Sequence, residues 1–312
     1  MKRYLIQNNI YKVLCWMCAL IAIAGCFGII IYIGIEGLEK MNLNFLVTEP
    51  NPTFHKEAAG GISTPIIGTL ILTVMGTLIA FPWGLLTAVY LTQYAKRGVM
   101  ANFFKLAIEV LSGVPTIVIA IFGLAIFSNP FFAFLSSKVD HVEGIQKAFG
   151  RSFLVASITM AVMILPYVTK TCIEAVSAVS NAYIEASYAM GASKRYTIIK
   201  VLLPAAQKGI VTAIILGMGR IIGDTAIVWL TLGGTLRMTG VQPWYGVKNW
   251  WSTLTSTGST LTSYIYYTSP AGEGNMPEVA FSASLFLIII IISLNFIVDL
   301  IGKSQALEGE DK

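Results

Sequence analysis

Six apolar runs, each long enough to cross a bilayer, constrain this chain more than any other feature. A spanning helix needs about 20 mostly apolar residues. Such runs lie at about Val13 to Ile35, Pro65 to Thr92, Phe103 to Ser128, Ser152 to Ala175, Gly209 to Leu232 and Val279 to Leu300. An isolated strand in lipid leaves its backbone polar groups unpaired, so each run is read as a helix. Composition points the same way. Only 12% of the 312 residues are charged, against about 25% in soluble domains, too few to cover a soluble globule. The expected fold class is all-α: a polytopic membrane protein with six transmembrane helices and both termini on one side.

Lys2, Arg3 and Lys12 precede the first run, as they would a secretory signal. The run is longer than a signal core and no small-x-small cleavage site follows it, so it is read as a retained anchor. With the N-terminus inside, the cytoplasmic segments hold twelve Lys and Arg residues and the outer segments seven. The positive-inside rule then favours N-in and C-in. The outer segment Arg237 to Glu278 is rich in Trp, Tyr, Ser, Thr and Gly. Its aromatics Trp244, Trp250, Trp251, Tyr264, Tyr266 and Tyr267 suit the headgroup level, or a docking surface for an external partner. Cys15 and Cys18 have CxxC spacing inside an apolar run without a histidine, and are read with Cys26 and Cys172 as small apolar residues. His55 and His141 fall in polar loops, so no metal site and no histidine-based catalytic set is visible.

The stretch NAYIEASYAMGASKRYTIIKVLLPAA, Asn181 to Ala206, carries the most information. It reads as two short helices around a turn. Asn181 is a candidate N-cap for the first, and Gly191 suits the left-handed position that ends it. Ser193 caps the second, which is expected to stop before Pro204. Small residues along the first helix let a partner approach its backbone.

Glu185, Ala186, Ser187, Gly191 and Leu203-Pro204 together resemble the "EAA" loop of ABC importer permeases. In that family the loop forms coupling helices that dock on the ATPase subunits; alanine is usual where Ser187 stands. Three further segments narrow the resemblance: Gly60-Gly61-Ile62, Leu111 to Val118 with Gly113 and Pro115, and Gly219 to Ala226. With these, the chain from Gly60 onward is similar to the A-type permease subunit of high-affinity phosphate ABC transporters, of type I importer architecture. Asp224 stands where that family has glutamate. Lys170 and Ile173 occupy its Arg-x-x-Glu pattern, with Glu174 one position further on. The resemblance divides the chain into an anchor region 1–59, a permease core 60–303 with the coupling loop 181–204, and a tail 304–312.

A charge in mid-span costs at least roughly 2.5–3.5 kcal/mol on insertion scales, so it needs a reason. Arg220 lies about halfway along the fifth run, with Asp224 one helical turn on. Two readings stay open. In one, Arg220 meets an oxyanion, for which guanidinium geometry suits, and Asp224 holds it in place. In the other, the pair locks helices together. Lys170 and Glu174 form either a solvated helix end or a gate pair. Gly113 and Pro115 are expected to break the third run beside the pathway, as a hinge.

No GxxxxGK[ST] pattern occurs, so ATP hydrolysis falls to another chain. The chain is expected to be no enzyme and to bind no cofactor itself, with ATP and Mg used by its partner. The resemblance implies those partners: a second related permease chain, two ATPase subunits and an external phosphate-binding protein, within a bacterial inner membrane and with no nucleic acid. Rival readings are a permease for tungstate or molybdate, and a phosphate-sensing scaffold that does not transport.

Overall fold

The computed structural model describes residues 2–51, 60–95, 98–136 and 150–310, with side chains described inside the range 10–297; both histidines lie outside these residues. The elements are α1 Lys2–Leu38, α2 Leu43–Val47, α3 Ser63–Tyr94, α4 Val99–Gly113, α5 Thr116–Phe127, α6 Phe153–Ser177, α7 Asn181–Ala189, α8 Lys194–Ala205, α9 Gln207–Gly223, α10 Trp250–Thr255, α11 Leu261–Thr268 and α12 Pro277–Glu310. The one strand-like feature among the described residues is an isolated bridge between Pro50 and Gly60. The fold is all-α. Among the described residues four helices are long and apolar enough to cross a membrane: α3, α6, Ile10–Leu38 of α1 and Pro277–Ile297 of α12. Two bent pairs bring the number to six when each is taken as one crossing.

The third run, Phe103 to Ser128, is broken at Gly113–Pro115 as its sequence leads one to expect: it forms two helices, α4 and α5, meeting at 104°. Val114 between them is extended, because Pro115 disfavours a helical residue before it and supplies no N–H of its own. The run expected from Gly209 to Leu232 is also interrupted. Helix α9 ends at Gly223, Asp224 is extended, and a π-helical turn follows at Val228–Leu232. At its other end α9 joins α8 at 68°. Helix α8 does not stop before Pro204 but runs through it to Ala205, with a π-helical turn at Ile198–Leu202 leading into the proline.

Helix α3 is the central post. Gly68, Leu72, Gly76, Ala80, Gly84 and Ala88 recur every four residues, and all are buried. This small-residue ridge lets neighbouring backbones close in, which is what drives helix association where lipid removes the hydrophobic incentive. A Cβ on Gly76 would sit 2.9 Å from Ile221 Cδ1 of α9, and one on Gly84 3.0 Å from Val168 Cγ1 of α6. Thr69 and Thr73 on the adjacent stripe donate to the carbonyls of Pro65 and Thr69, so their hydroxyls are satisfied within the helix. Leu72, Met160, Ile164, Ile221 and Ile227 fill the core between α3, α6 and α9.

By contrast, α1 stands apart. Its described side chains from residue 10 to residue 31 are exposed, and among them contact with the rest of the fold begins at Tyr32. There the Tyr32 and Phe281 rings pack edge to face, Ser282 Oγ donates to the Gly37 carbonyl and Lys40 bridges to Glu278 at 2.6 Å.

The segment read as an outer loop is partly a core element. Tyr264 is 1% exposed, packed with Phe45, Ile62, Leu261 and Val279, so it is not at a headgroup surface. The Ser/Thr-rich run before it is wedged against α3 and α6. Leu261 N donates to Thr69 Oγ1, Phe153 N donates to the Ser256 carbonyl, and a Cβ on Gly68 would overlap the Ser259 carbonyl oxygen. Trp250 and Trp251 do remain exposed. This matters for testing orientation. Ser256 lies in a segment rich enough in polar residues to suggest an accessible labelling position, but it is 2% exposed, whereas Val247 is 79% exposed. In a cysteine-free background, a cysteine at Val247 is expected to react with an impermeant thiol reagent applied from outside, and one at Ser193 is expected to stay unmodified. The reverse pattern overturns N-in and C-in.

Candidate functional site

Helix α6 places Met163, Tyr167 and Lys170 on one face, at successive turns. Arg220 reaches the same face from the last turn of α9. The broken end of α4 brings Ser112 opposite them. These residues line a cavity of about 190 Å³ completed by apolar side chains, Ile119 and Pro166 among them. Among the described residues that line it, the two charged ones are both positive and none is a carboxylate.

Each cation is held by a neutral group. Arg220 Nε donates to Met163 Sδ at 3.1 Å. The guanidinium lies 5.6 Å from the centre of the Tyr167 ring, within cation–π reach. The last turn of a helix also favours a cation, since its free carbonyls carry partial negative charge. Lys170 Nζ donates to Ser112 Oγ at 2.9 Å, and Ser112 Oγ in turn donates to the Glu109 carbonyl at 2.8 Å. Lys170, Tyr167 and Arg220 are exposed in the chain alone, although their helices are of membrane-spanning kind.

The pairings expected from sequence are not formed. Arg220 and Asp224 do not share a helical face, because α9 ends between them, and no ion pair joins them. Asp224 instead caps the next segment: its Oδ1 accepts from Ile227 N at 2.8 Å, and its carbonyl accepts from the Thr262 hydroxyl at 3.1 Å. Nor does Lys170 bridge to Glu174, one turn along α6; its partner is Ser112. Glu174 lies outside the cavity lining. Gly113 and Pro115 flank the break, and Val114 between them lines the cavity. Sequence reasoning does not single out Ser112, Met163 and Tyr167 as cavity residues. Their signal is there in part: positions 163, 167 and 170 share a helical face, and Ser112 adjoins the Gly113–Pro115 break.

A second feature lies at the far end of α6. Helix α7 is capped by Ser180 rather than Asn181: the Ser180 hydroxyl accepts from Ala182 N. The helix has no buried residue; Glu185 and Ala186 are exposed. Gly191 takes φ +78° and ends the turn, with its N–H donating to the Tyr188 carbonyl. Ser193 caps α8 by accepting from Tyr196 N. Ser187, half-buried, ties the two helices together through a 2.8 Å hydrogen bond to Thr197 Oγ1. An open groove of about 950 Å³ runs beside them, with Glu185, Lys105 and Lys194 on its walls and Lys194 stacked on Tyr94.

Among the described residues no cluster of His, Cys, Asp or Glu is arranged to hold a metal ion. A family model described as "Binding-protein-dependent transport system inner membrane component" matches residues 80–306. The chain is 34% identical over 226 residues to "Probable ABC transporter permease protein YqgH" of Bacillus subtilis (strain 168), covering 70% of this chain and 69% of that one. It is 29% identical over 285 residues to "Phosphate transport system permease protein PstA homolog" of Mycoplasma pneumoniae, covering 90% of this chain but 40% of that one. It is 28% identical over 293 residues to "Probable phosphate transport system permease protein PstA" of Methanocaldococcus jannaschii, covering 93% and 92%. In fold it is similar to a chain from the inward-facing MetNI methionine ABC transporter, with TM-score 0.56 and 18% identity over 78% of this chain and 94% of that one.

Proposed function

Because the chain belongs to the family of binding-protein-dependent transport system inner membrane components, we propose that it is one permease subunit of an ATP-driven phosphate importer. The observation that carries the reading is the pair of cations, Lys170 and Arg220, lining one cavity without a carboxylate. Facing lipid, each would cost at least roughly 2.5–3.5 kcal/mol, so the face that bears them belongs against protein or an aqueous path. A second, related permease chain supplies that cover. The phosphate assignment is supported by the printed names of the Mycoplasma and Methanocaldococcus relatives and by the fit of guanidinium to an oxyanion.

In this reading the chain is a non-catalytic part of the bacterial inner membrane with N-in and C-in topology. An external phosphate-binding protein delivers the anion, and two ATPase subunits use ATP and Mg. The exposed surface of α7, with Glu185, Ala186 and the Gly191 turn, docks on one ATPase. Its movement rocks α6 and α9, and the break at Gly113–Pro115 flexes beside the cavity. Arg220 and Lys170 meet the anion; Asp224 shapes the backbone after Arg220, and Glu174 lies a turn beyond Lys170.

Uptake of labelled phosphate tests the assignment. A strain lacking the chain is expected to lose high-affinity uptake and to regain it with the gene. Excess unlabelled molybdate or tungstate is expected to leave the rate unchanged. Unaltered uptake in the deletion strain refutes transport of phosphate, and competition by tungstate reassigns the anion.

A further inference from the structure

We propose that the exposed aromatic ledge around Trp250 and Trp251 is the surface on which the soluble external binding protein docks. The family of this chain is binding-protein-dependent, so the partner is a folded, water-soluble protein. The inference rests on the proposed function for that partner's identity and adds the surface that receives it.

The ledge is built by residues 238–257. On it Val241, Tyr245, Val247, Trp250 and Trp251 are each more than half exposed. Trp and Tyr are enriched among the side chains that anchor protein interfaces, because they bring a large contact area at a small entropic cost. The backbone beneath them is braced. Val241 N donates to Ser252 Oγ at 3.0 Å, Thr253 Oγ1 to the Trp244 carbonyl at 2.8 Å and Trp250 Nε1 to the Tyr245 carbonyl at 3.2 Å. A surface fixed before its partner arrives loses less freedom on binding.

Two environments take such aromatics: the headgroup layer of a bilayer and a protein partner. Position in the fold favours the second. The ledge stands on the start of α6. Phe153 N donates to the Ser256 carbonyl, and Met238, Trp244 and Leu254 join the core cluster that contains Phe153. Of the four spanning helices α6 is the most enclosed: 67% of its apolar window is buried, against 17% for α12 and 0% for α1. An aromatic belt girdles the perimeter that faces lipid. The ledge instead caps the outer end of the innermost helix, at the opposite end from α7. Met163, at the cavity, lies about 15 Å further along α6 than Phe153. A partner seated on the ledge is therefore above the helix that carries Met163, Tyr167 and Lys170.

The test uses the complete transporter complex in lipid nanodiscs and the phosphate-loaded binding protein of the same organism. In a cysteine-free background, Val247→Cys is expected to react quickly with an impermeant thiol reagent. Saturating binding protein should slow that reaction at least about tenfold, and an unrelated soluble protein should not. Trp251→Ala is expected to weaken association of the binding protein by about thirtyfold or more, the scale of an interface anchor. Trp251→Phe should restore most of it. Association that is indifferent to Trp251→Ala, or that leaves position 247 as reactive as before, overturns this inference alone. So does a position 247 that is unreactive in the complex without binding protein, or a bimane attached there that is quenched by lipid carrying a headgroup nitroxide. Absence of any association with the wild-type complex overturns it together with the phosphate-importer reading.

Discussion

The double variant Arg220→Gln with Asp224→Asn is expected to be expressed, assembled and severely impaired in phosphate uptake. If the two residues served only to neutralise one another, removing both charges would be tolerated, because breaking one partner of a buried pair costs more than removing both. The geometry gives each residue a hydrogen-bond partner of its own. Asp224 lies past the end of α9, with its carboxylate on Ile227 N, and Arg220 rests on Met163 and Tyr167. The single variants should therefore differ. Asn keeps the oxygen that caps Ile227, so Asp224→Asn should retain most of the uptake. In the proposed role, Arg220→Gln would lose a charge-assisted contact to the anion, of the order of 1.5–3 kcal/mol, which corresponds to about a tenfold to hundredfold loss. The double variant should match Arg220→Gln. Arg220→Lys should also be impaired, since an ammonium lacks the planar fork. The measurement is labelled phosphate uptake at matched membrane protein levels, with ATPase activity recorded alongside. Recovery of the double variant to near wild-type rates makes Arg220 a helix fastener and removes it from the pathway.

What is legible in the sequence follows from what hydropathy can encode. Runs of about 20 apolar residues show where the chain is in lipid, and Pro115 announces the break in the third run by its missing N–H. The interruption at Asp224 is harder to see, since apolar residues continue on both sides and hydropathy carries no direction. The local signal is an aspartate three residues before Ile227, the spacing of a capping side chain. The same spacing of four that suggests a pair for Arg220 and Asp224, and for Lys170 and Glu174, holds only where a helix is unbroken and no better partner is near. For Lys170 the better partner, Ser112, lies 58 residues away, on a different helix. The run from Ser256 to Ser263 looks like an outer loop because its composition is polar. It is buried because Gly68 leaves room for the Ser259 carbonyl, a match between two segments that neither shows by itself. The four-residue ridge of α3, in contrast, is readable from spacing alone.

The coupling surface should fail more completely than the cavity. Gly191→Pro and Glu185→Lys are each expected to reduce uptake to background while leaving the chain in the membrane. Gly191 holds φ +78°. Proline is locked at about −65° and cannot follow it there. Proline would also remove the N–H that donates to the Tyr188 carbonyl. The turn between α7 and α8 could not then form, and the exposed face of α7 would point elsewhere. Helix α7 fully buries none of its residues and touches the span core through Ile184 and Ser187, so this loss should stay local. Glu185→Lys acts by charge. It would place a third cation on a groove whose walls already carry Lys105 and Lys194. Gly191→Ala separates conformation from contact. A left-handed non-glycine residue costs roughly 1–2 kcal/mol, and a Cβ at Gly191 meets no neighbour within 4 Å. It should therefore be impaired but active. The readouts are uptake, the amount of chain in the membrane and the amount of ATPase subunit that co-purifies with it. Normal uptake with normal ATPase co-purification in both the proline and lysine variants removes α7 from the coupling path.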